Sequence, residues 1–240
     1  MSRPSVFALL ALAALLPPAT AQAQSRDDLA GAARAFDEAA LRSGYDNSRP
    51  MPVRKWTVPI RLGFANASAA PNLVDLTRAA VRSNAAEAGV EVVDLPERES
   101  TANFIVYFDE NGLRGVGGDC VASAWWNKQR ALYKSELRIN PTRTRDIDRC
   151  AVHESMHAFG FLSHPHAAVS VLSYVHKAQR SLTPLDKNLF RTLYDPRMTV
   201  GLAPAPASQL GCRILGERLG SSPADIAAVC SDRKGPVPSN

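Results

Sequence analysis

All five histidines of this 240-residue chain fall between His153 and His176. Two of them frame the run His153-Glu154-Ser155-Met156-His157. On a helix, residues four apart lie one turn apart on the same face, so both imidazoles can reach a single ion. Glu154 stands beside the first, where a carboxylate can take a proton from water held by that ion. The chemistry this spacing points to is metal-assisted hydrolysis. Gly160 comes shortly after His157 and suits a sharp left-handed exit from the helix. Beyond it, His164 and His166 return histidine to the same neighbourhood.

A helix must carry this motif and a framework must hold it. Ala151, Val152, Met156 and Phe159 supply an apolar face, which predicts a helix over about residues 144–159. Upstream, residues 56–64 read as a strand, with Pro59 placing it near an edge or a bulge. Leu73, Leu76, Ala80 and Val81 give residues 71–88 a helical period that Gly89 stops. Residues 90–95 and 103–108 are short β-type runs, and 121–127 with 131–140 read as two antiparallel strands. The Gly-rich stretch 109–119 lacks the helix context and lysine of a phosphate loop, so it reads as a connector. Downstream come a tight segment at 170–174 and a helix at 184–194, capped by Thr183 with Asp186 in its first turn. A peripheral helix is expected at 29–41, followed by a linker at 47–52. Pro204 and Pro206 mark residues 202–207 as a second linker, leading to a small tail at 210–230 with a helical turn or two at 223–229.

Residues 1–23 read as a cleaved leader: Arg3, then an apolar run at 6–16, then the small-residue sites Ala19-Thr20-Ala21 and Ala21-Gln22-Ala23. That run is too short to span a bilayer, no later stretch is long enough either, and the mature chain is expected to be periplasmic or secreted. The formal net charge is +5, and Arg3 is the only charged side chain the leader removes. The positive charges are interspersed with acids and form no basic stripe with aromatics, which argues against nucleic acid as a partner. Four cysteines in an exported chain suggest two disulfides. Three connectivities are possible; pairing sequence neighbours, Cys120 with Cys150 and Cys212 with Cys230, closes the smaller loops. A cysteine metal site is the weaker alternative, since no C-x-x-C pair occurs.

The order of elements and the motifs resemble the metzincin metallopeptidases. Their pattern is H-E-x-x-H-x-x-G-x-x-H, and His153, Glu154, His157 and Gly160 stand at matching positions. Ser170-Val171-Leu172-Ser173-Tyr174 is similar to their methionine-containing turn, with Leu172 in the place of the methionine. Leu182-Thr183-Pro184-Leu185-Asp186, ending in Leu193-Tyr194, resembles their last helix. The third ligand is expected at Ser163, whereas His164 comes one residue later. Gly160 ends the helix, so the extra residue falls in a loop, where Leu162 or Ser163 can absorb it. Ser163-His164-Pro165 also resembles the ligand triplet of serralysin-like enzymes, which favours His164 over His166. A closer resemblance is to an uncharacterised family of secreted bacterial proteins with a domain of unknown function, carried by Cys150 and by Leu193-Tyr194-Asp195-Pro196-Arg197. Many of those relatives have lost the histidines that this chain keeps.

What the resemblance implies is an α+β, metzincin-like fold: a mixed twisted sheet, two helices including the zinc helix, then a small mainly helical C-terminal part. The expected division is leader 1–23, N-terminal helix and linker 24–52, catalytic domain 53–200 and disulfide-containing tail 201–240. Zn2+ would be held by His153, His157 and His164, with Glu154 as general base, acting on a peptide or protein substrate. Tyr174 is either a catalytic group near the metal or a tyrosine packed at an edge. Residues 121–127, with Trp125-Trp126, could bind an extended peptide by strand addition, or the tryptophans could simply pack. The rival readings are a non-catalytic binding module on the same scaffold and a non-peptide hydrolase such as an amidase. The oligomeric state is not assigned.

Overall fold

The structure, a computed structural model, describes residues 19–44, 49–96, 100–109, 113, 119–142, 146–231, 233 and 235, with backbone alone at 19–24 and 69. Residues 1–18 of the expected leader, part of the 47–52 linker, most of the Gly-rich stretch 109–119 and the expected helix start at 144 lie outside the described residues.

Six strands make one sheet: β1 (Lys55–Trp56), β2 (Ile60–Ala65), β3 (Val92–Asp94), β4 (Phe104–Phe108), β5 (Cys120–Trp126) and β6 (Ala131–Ile139). Across it the order is β5, β6, β4, β2, β3, and every pairing is parallel except β5 with β6. β1 pairs with the start of β6 through Lys55↔Ala131 and Trp56↔Leu132, on the edge that β4 takes up from Ser135 onward. One edge of β5 is therefore left without a strand partner among the described residues.

The single strand expected at 56–64 is two strands. Pro59 has no N–H to give a ladder, and the chain shifts there from β6 to the middle of the sheet. Asn103 bridges the break: its side-chain nitrogen donates to Pro59 O at 3.0 Å, and its oxygen accepts from Arg61 N at 2.6 Å.

Six α-helices accompany the sheet among the described residues: α1 (Ala19–Ala40), α2 (Pro71–Ala88), α3 (Ile147–Ala158), α4 (Pro184–Leu193), α5 (Pro204–Leu219) and α6 (Pro223–Cys230). The chain is thus mixed α/β. α3 packs against α2 and against β5 and β6. Buried Asn84 of α2 donates to Ser155 Oγ at 2.6 Å, a polar tie inside this contact.

Two expectations for the ends of the chain are corrected. The N-terminal helix is not peripheral: Leu29, Phe36 and Ala39 are fully buried, and the helix packs on α5 and α6. Gly211 of α5 allows this approach, since a Cβ there would lie 2.5 Å from the Phe36 ring. The expected linker at 202–207 instead enters α5, with proline in its first turn. First-turn N–H groups have no intrahelical acceptor, so Pro204 and Pro206 remove nothing the helix uses.

Both disulfides pair as expected: Cys120 with Cys150 and Cys212 with Cys230. The first ties the start of β5 to the first turn of α3 and is worth about 3 to 4 kcal/mol by loop entropy. No helix of the described residues is long and apolar enough to cross a membrane.

Gly160 ends the metal-motif region at φ +109°, a conformation that side chains disfavour. A Cβ there would also fall 2.3 Å from Arg54 O. Gly160→Ala is therefore expected to destabilise the fold by about 2 to 4 kcal/mol, read as a fall in the denaturant midpoint. A variant within 0.5 kcal/mol of wild type, the ordinary scatter of surface changes, would show that this turn adapts freely.

Candidate metal centre

α3 carries Arg149, His153 and His157 at a four-residue spacing, one stripe of the helix. Its other neighbour in the site arrives through Gly160, after which the chain turns back and presents His164. The three Nε2 atoms converge: His153 to His157 is 3.2 Å, His153 to His164 is 3.2 Å, and His157 to His164 is 3.0 Å. Among the described residues these three form a group that could hold a metal ion.

Their hydrogen bonds decide what kind of partner they await. His153 Nδ1 donates to Val171 O at 2.8 Å, and His157 Nδ1 donates to Phe161 O. With the proton on Nδ1, each Nε2 carries a lone pair pointed at the others. Lone pairs that face one another at 3 Å repel, and a shared cation resolves the conflict. Burial holds the imidazoles neutral: His157 is pushed down to about 4 and His164 to about 3, and His153 is also well below its usual range. The donor set suits zinc, for which neutral histidine nitrogen is an ordinary ligand.

Glu154 Oε1 lies 3.9 Å from His153 Nε2. Burial raises its carboxyl to about 7, against the opposing effects of the Ala122 N–H and of Arg149. The Ala122 contact places the carboxyl under β5. The Tyr174 ring stacks on His164 with centroids 4.0 Å apart and is 58% exposed, so it borders the centre and is not packed at an edge. His166 stands outside the group; its backbone N–H donates to Glu38 of α1 at 3.0 Å. His176 likewise joins the loop, its N–H on Ser173 Oγ. The extra residue before His164 turns inward: Ser163 is buried, and its N–H reaches Ala39 O of α1 at 3.1 Å.

Sequence reasoning did not find what orients the first histidine. Val171 O, which accepts from His153, also accepts from Arg149 Nη2 at 3.1 Å. Arg149 also donates to Ser173 O at 2.9 Å, so it straps the 170–174 turn to α3. From the other side, Asp186 holds that turn: its carboxylate accepts from Val171 N at 3.0 Å and from Ser170 Oγ at 2.5 Å. The same carboxylate closes a capping box with Thr183 at the start of α4. Position gives a signal only for Arg149, one turn ahead of His153; for Asp186 the sequence shows the cap but not the turn it reaches.

The triad, Glu154, Tyr174, Arg149 and β5 line a single cleft of about 1050 Å³. No curated protein matches the chain in sequence. Among solved structures it is similar to one titled "Structure of Myroilysin", at 11% identity and a TM-score of 0.38, covering 65% of this chain and 95% of that one, a likeness too slight to argue from. Residues 30–210 match the family described as a protein of unknown function (DUF2927), and the chain belongs to that family.

Proposed function

We propose that the chain is an exported, zinc-dependent peptide-bond hydrolase of metzincin type, with His153, His157 and His164 as ligands and Glu154 as general base. The observation that carries this reading is the convergence of three Nε2 atoms within 3.2 Å, with the Glu154 carboxyl 3.9 Å from one of them. A bound zinc ion supplies Lewis acidity toward water and toward a substrate carbonyl. Glu154 lies 3.9 Å from the nearest ligand nitrogen, where its carboxylate can take a proton from water and pass it to the leaving amine. The Tyr174 hydroxyl, partly withdrawn from water and near the Glu154 carboxylate, is raised above its ordinary range; protonated at neutral pH, it can donate to the developing oxyanion. The edge of β5 that has no strand partner among the described residues offers backbone groups to an extended peptide, which orients the substrate along the cleft. Two disulfides fit an oxidising compartment, as export behind a leader at 1–23 would require; the same proposal divides the rest into an N-terminal unit at 24–52, a catalytic unit at 53–200 and a tail at 201–240.

The test is zinc content of protein isolated from an oxidising compartment, together with cleavage of a broad peptide library. One zinc per chain, with cleavage lost to a chelator and restored by zinc, is the expected result. Protein that takes up no zinc under these conditions would leave the non-catalytic binding module instead.

Zinc retention should also have a low-lying pH dependence. Protons compete for the same Nε2 lone pairs, and an imidazole in water is protonated below about 6.5. Here burial holds His157 near 4 and His164 near 3, so the competition begins only at lower pH. Zinc per chain after equilibrium dialysis should stay constant from pH 7 downward and fall only as the pH nears the His157 value of about 4. A fall centred at 6.5 would mean the imidazoles titrate as they do in water.

A further inference from the structure

Past the C-terminal end of α3 the cleft wall holds a cation that the metal chemistry does not use. Arg54 is 1% exposed and among the largest fully buried side chains of the described residues. Its guanidinium carbon lies 3.8 Å from the centroid of the Trp126 ring, and Nη2 faces the Met51 sulfur at 3.8 Å. Nε and Nη1 are buried and have no hydrogen-bond partner among the described residues. Burial, and after it the like charges of Arg130 and Arg49, lower it to about 10, which leaves it protonated at neutral pH. A buried charge with two orphaned donors is among the costliest arrangements a fold can keep, and each instance calls for a partner.

The acidic residues of the cleft wall are not that partner. Asp119 and Asp146 flank the opposite end, beside Cys120 and the start of α3, and Glu154 sits under Ala122 in the middle. Arg54 and Trp126 line the same cleft as His157, and the Arg54 carbonyl touches the Gly160 turn that follows His157. Trp126 also ends β5, whose edge is proposed above to carry the substrate backbone. A substrate laid along β5 and across the triad would therefore pass Arg54.

We propose that Arg54, stacked on Trp126, is an anion subsite of this cleft that takes a carboxylate of the substrate, making the proposed hydrolase selective for acidic peptides. The peptide class rests on the hydrolase reading; the demand for an anion does not. Stacking on Trp126 holds the guanidinium in place; because Nε–H and Nη1–H are shut off from solvent, a carboxylate reaches them only as the Trp126 side of the cleft wall shifts aside. The carboxylate has two sources, an Asp or Glu side chain or the free C-terminus of a peptide.

Binding separates these outcomes without relying on turnover. Blocked peptides with a single Glu at each position in turn, their Gln counterparts, and a series with a free C-terminus are titrated calorimetrically against the zinc-loaded Glu154→Gln protein. The expected result is one position at which Glu binds about 10- to 100-fold tighter than Gln, the range for charge-assisted hydrogen bonds. Arg54→Met should abolish that preference and Arg54→Lys should keep part of it. If only the free C-terminus gives the gain, the subsite reads the chain end and not a side chain. Equal affinity for Glu and Gln at every position and no gain from a free C-terminus, no binding of any peptide, or an undiminished preference in Arg54→Met would each overturn the subsite. Should Arg54→Met fail to fold, wild type decides: the Trp126 indole resonance should shift with the Glu peptide and not with its Gln counterpart. Acid-selective binding without cleavage of any peptide would overturn the hydrolase and leave the subsite; cleavage without acidic preference would do the reverse.

Discussion

Glu154→Gln is expected to lower peptide hydrolysis by about 100- to 10,000-fold, the usual contribution of a positioned general base, while zinc stays bound. Glutamine keeps the size of the side chain and an oxygen for the Ala122 N–H, but it cannot take a proton. The three Nε2 atoms and the carbonyls that orient two of them are untouched by the change. His157→Ala separates the roles from the other side: it removes one of three ligands, so zinc and hydrolysis should go together. The measurement pairs zinc per chain with kcat/KM on whichever library peptide is cleaved. A Glu154→Gln protein as active as wild type on that peptide would end the assignment of Glu154 as base.

The legible parts of this chain are those where local pattern and tertiary need coincide. The four-residue histidine spacing, the glycine after it and the Thr183 cap are short-range signals, and α3, the positive φ of Gly160 and the α4 capping box appear where they point. The strands β4, β5 and β6 were readable to within a residue at each end because apolar runs bounded by turn residues leave few alternatives. Proline misled twice, in opposite directions. Pro59 was tolerated within one strand but divides two, since a missing N–H matters inside a ladder. Pro204 and Pro206 look like breakers in the sequence but open a helix, since a missing N–H does not matter in a first turn.

Long-range ties were beyond reach for a different reason. Nothing near Ser163 in sequence says that its N–H will meet Ala39 of α1. That contact turns the extra residue inward and lets His164 arrive beside His157. The N-terminal helix thus supports the loop that carries the third imidazole, although its own sequence reads as peripheral. In the same way, Arg54 is one ordinary basic residue in a basic stretch until the fold buries it beneath Trp126.

The largest stability effect is expected at Asp186, which touches no member of the triad. Its carboxylate is fully buried and accepts from Ser170 Oγ, Val171 N, Thr183 N and Thr183 Oγ1. Asp186→Ala leaves Ser170 Oγ, Val171 N and Thr183 N buried without that acceptor, while the Thr183 hydroxyl can still turn to Val169 O; the loss should cost about 3 to 5 kcal/mol. The effect should also travel one bond further. Val171 presents its N–H to Asp186 and its carbonyl to His153 Nδ1, so a loosened turn frees the ring of the first histidine. Loss of such an orienting partner lowers metal affinity by about 10- to 100-fold. Asp186→Asn, which keeps one acceptor oxygen, should fall between Ala and wild type on both scales. Denaturant unfolding of the metal-free proteins gives the first quantity, and zinc competition against a chelator at a temperature where both variants are folded gives the second. If Asp186→Ala loses stability but binds zinc as tightly as wild type, Asp186 is only a cap for α4, and Arg149 alone holds the Val171 carbonyl in place.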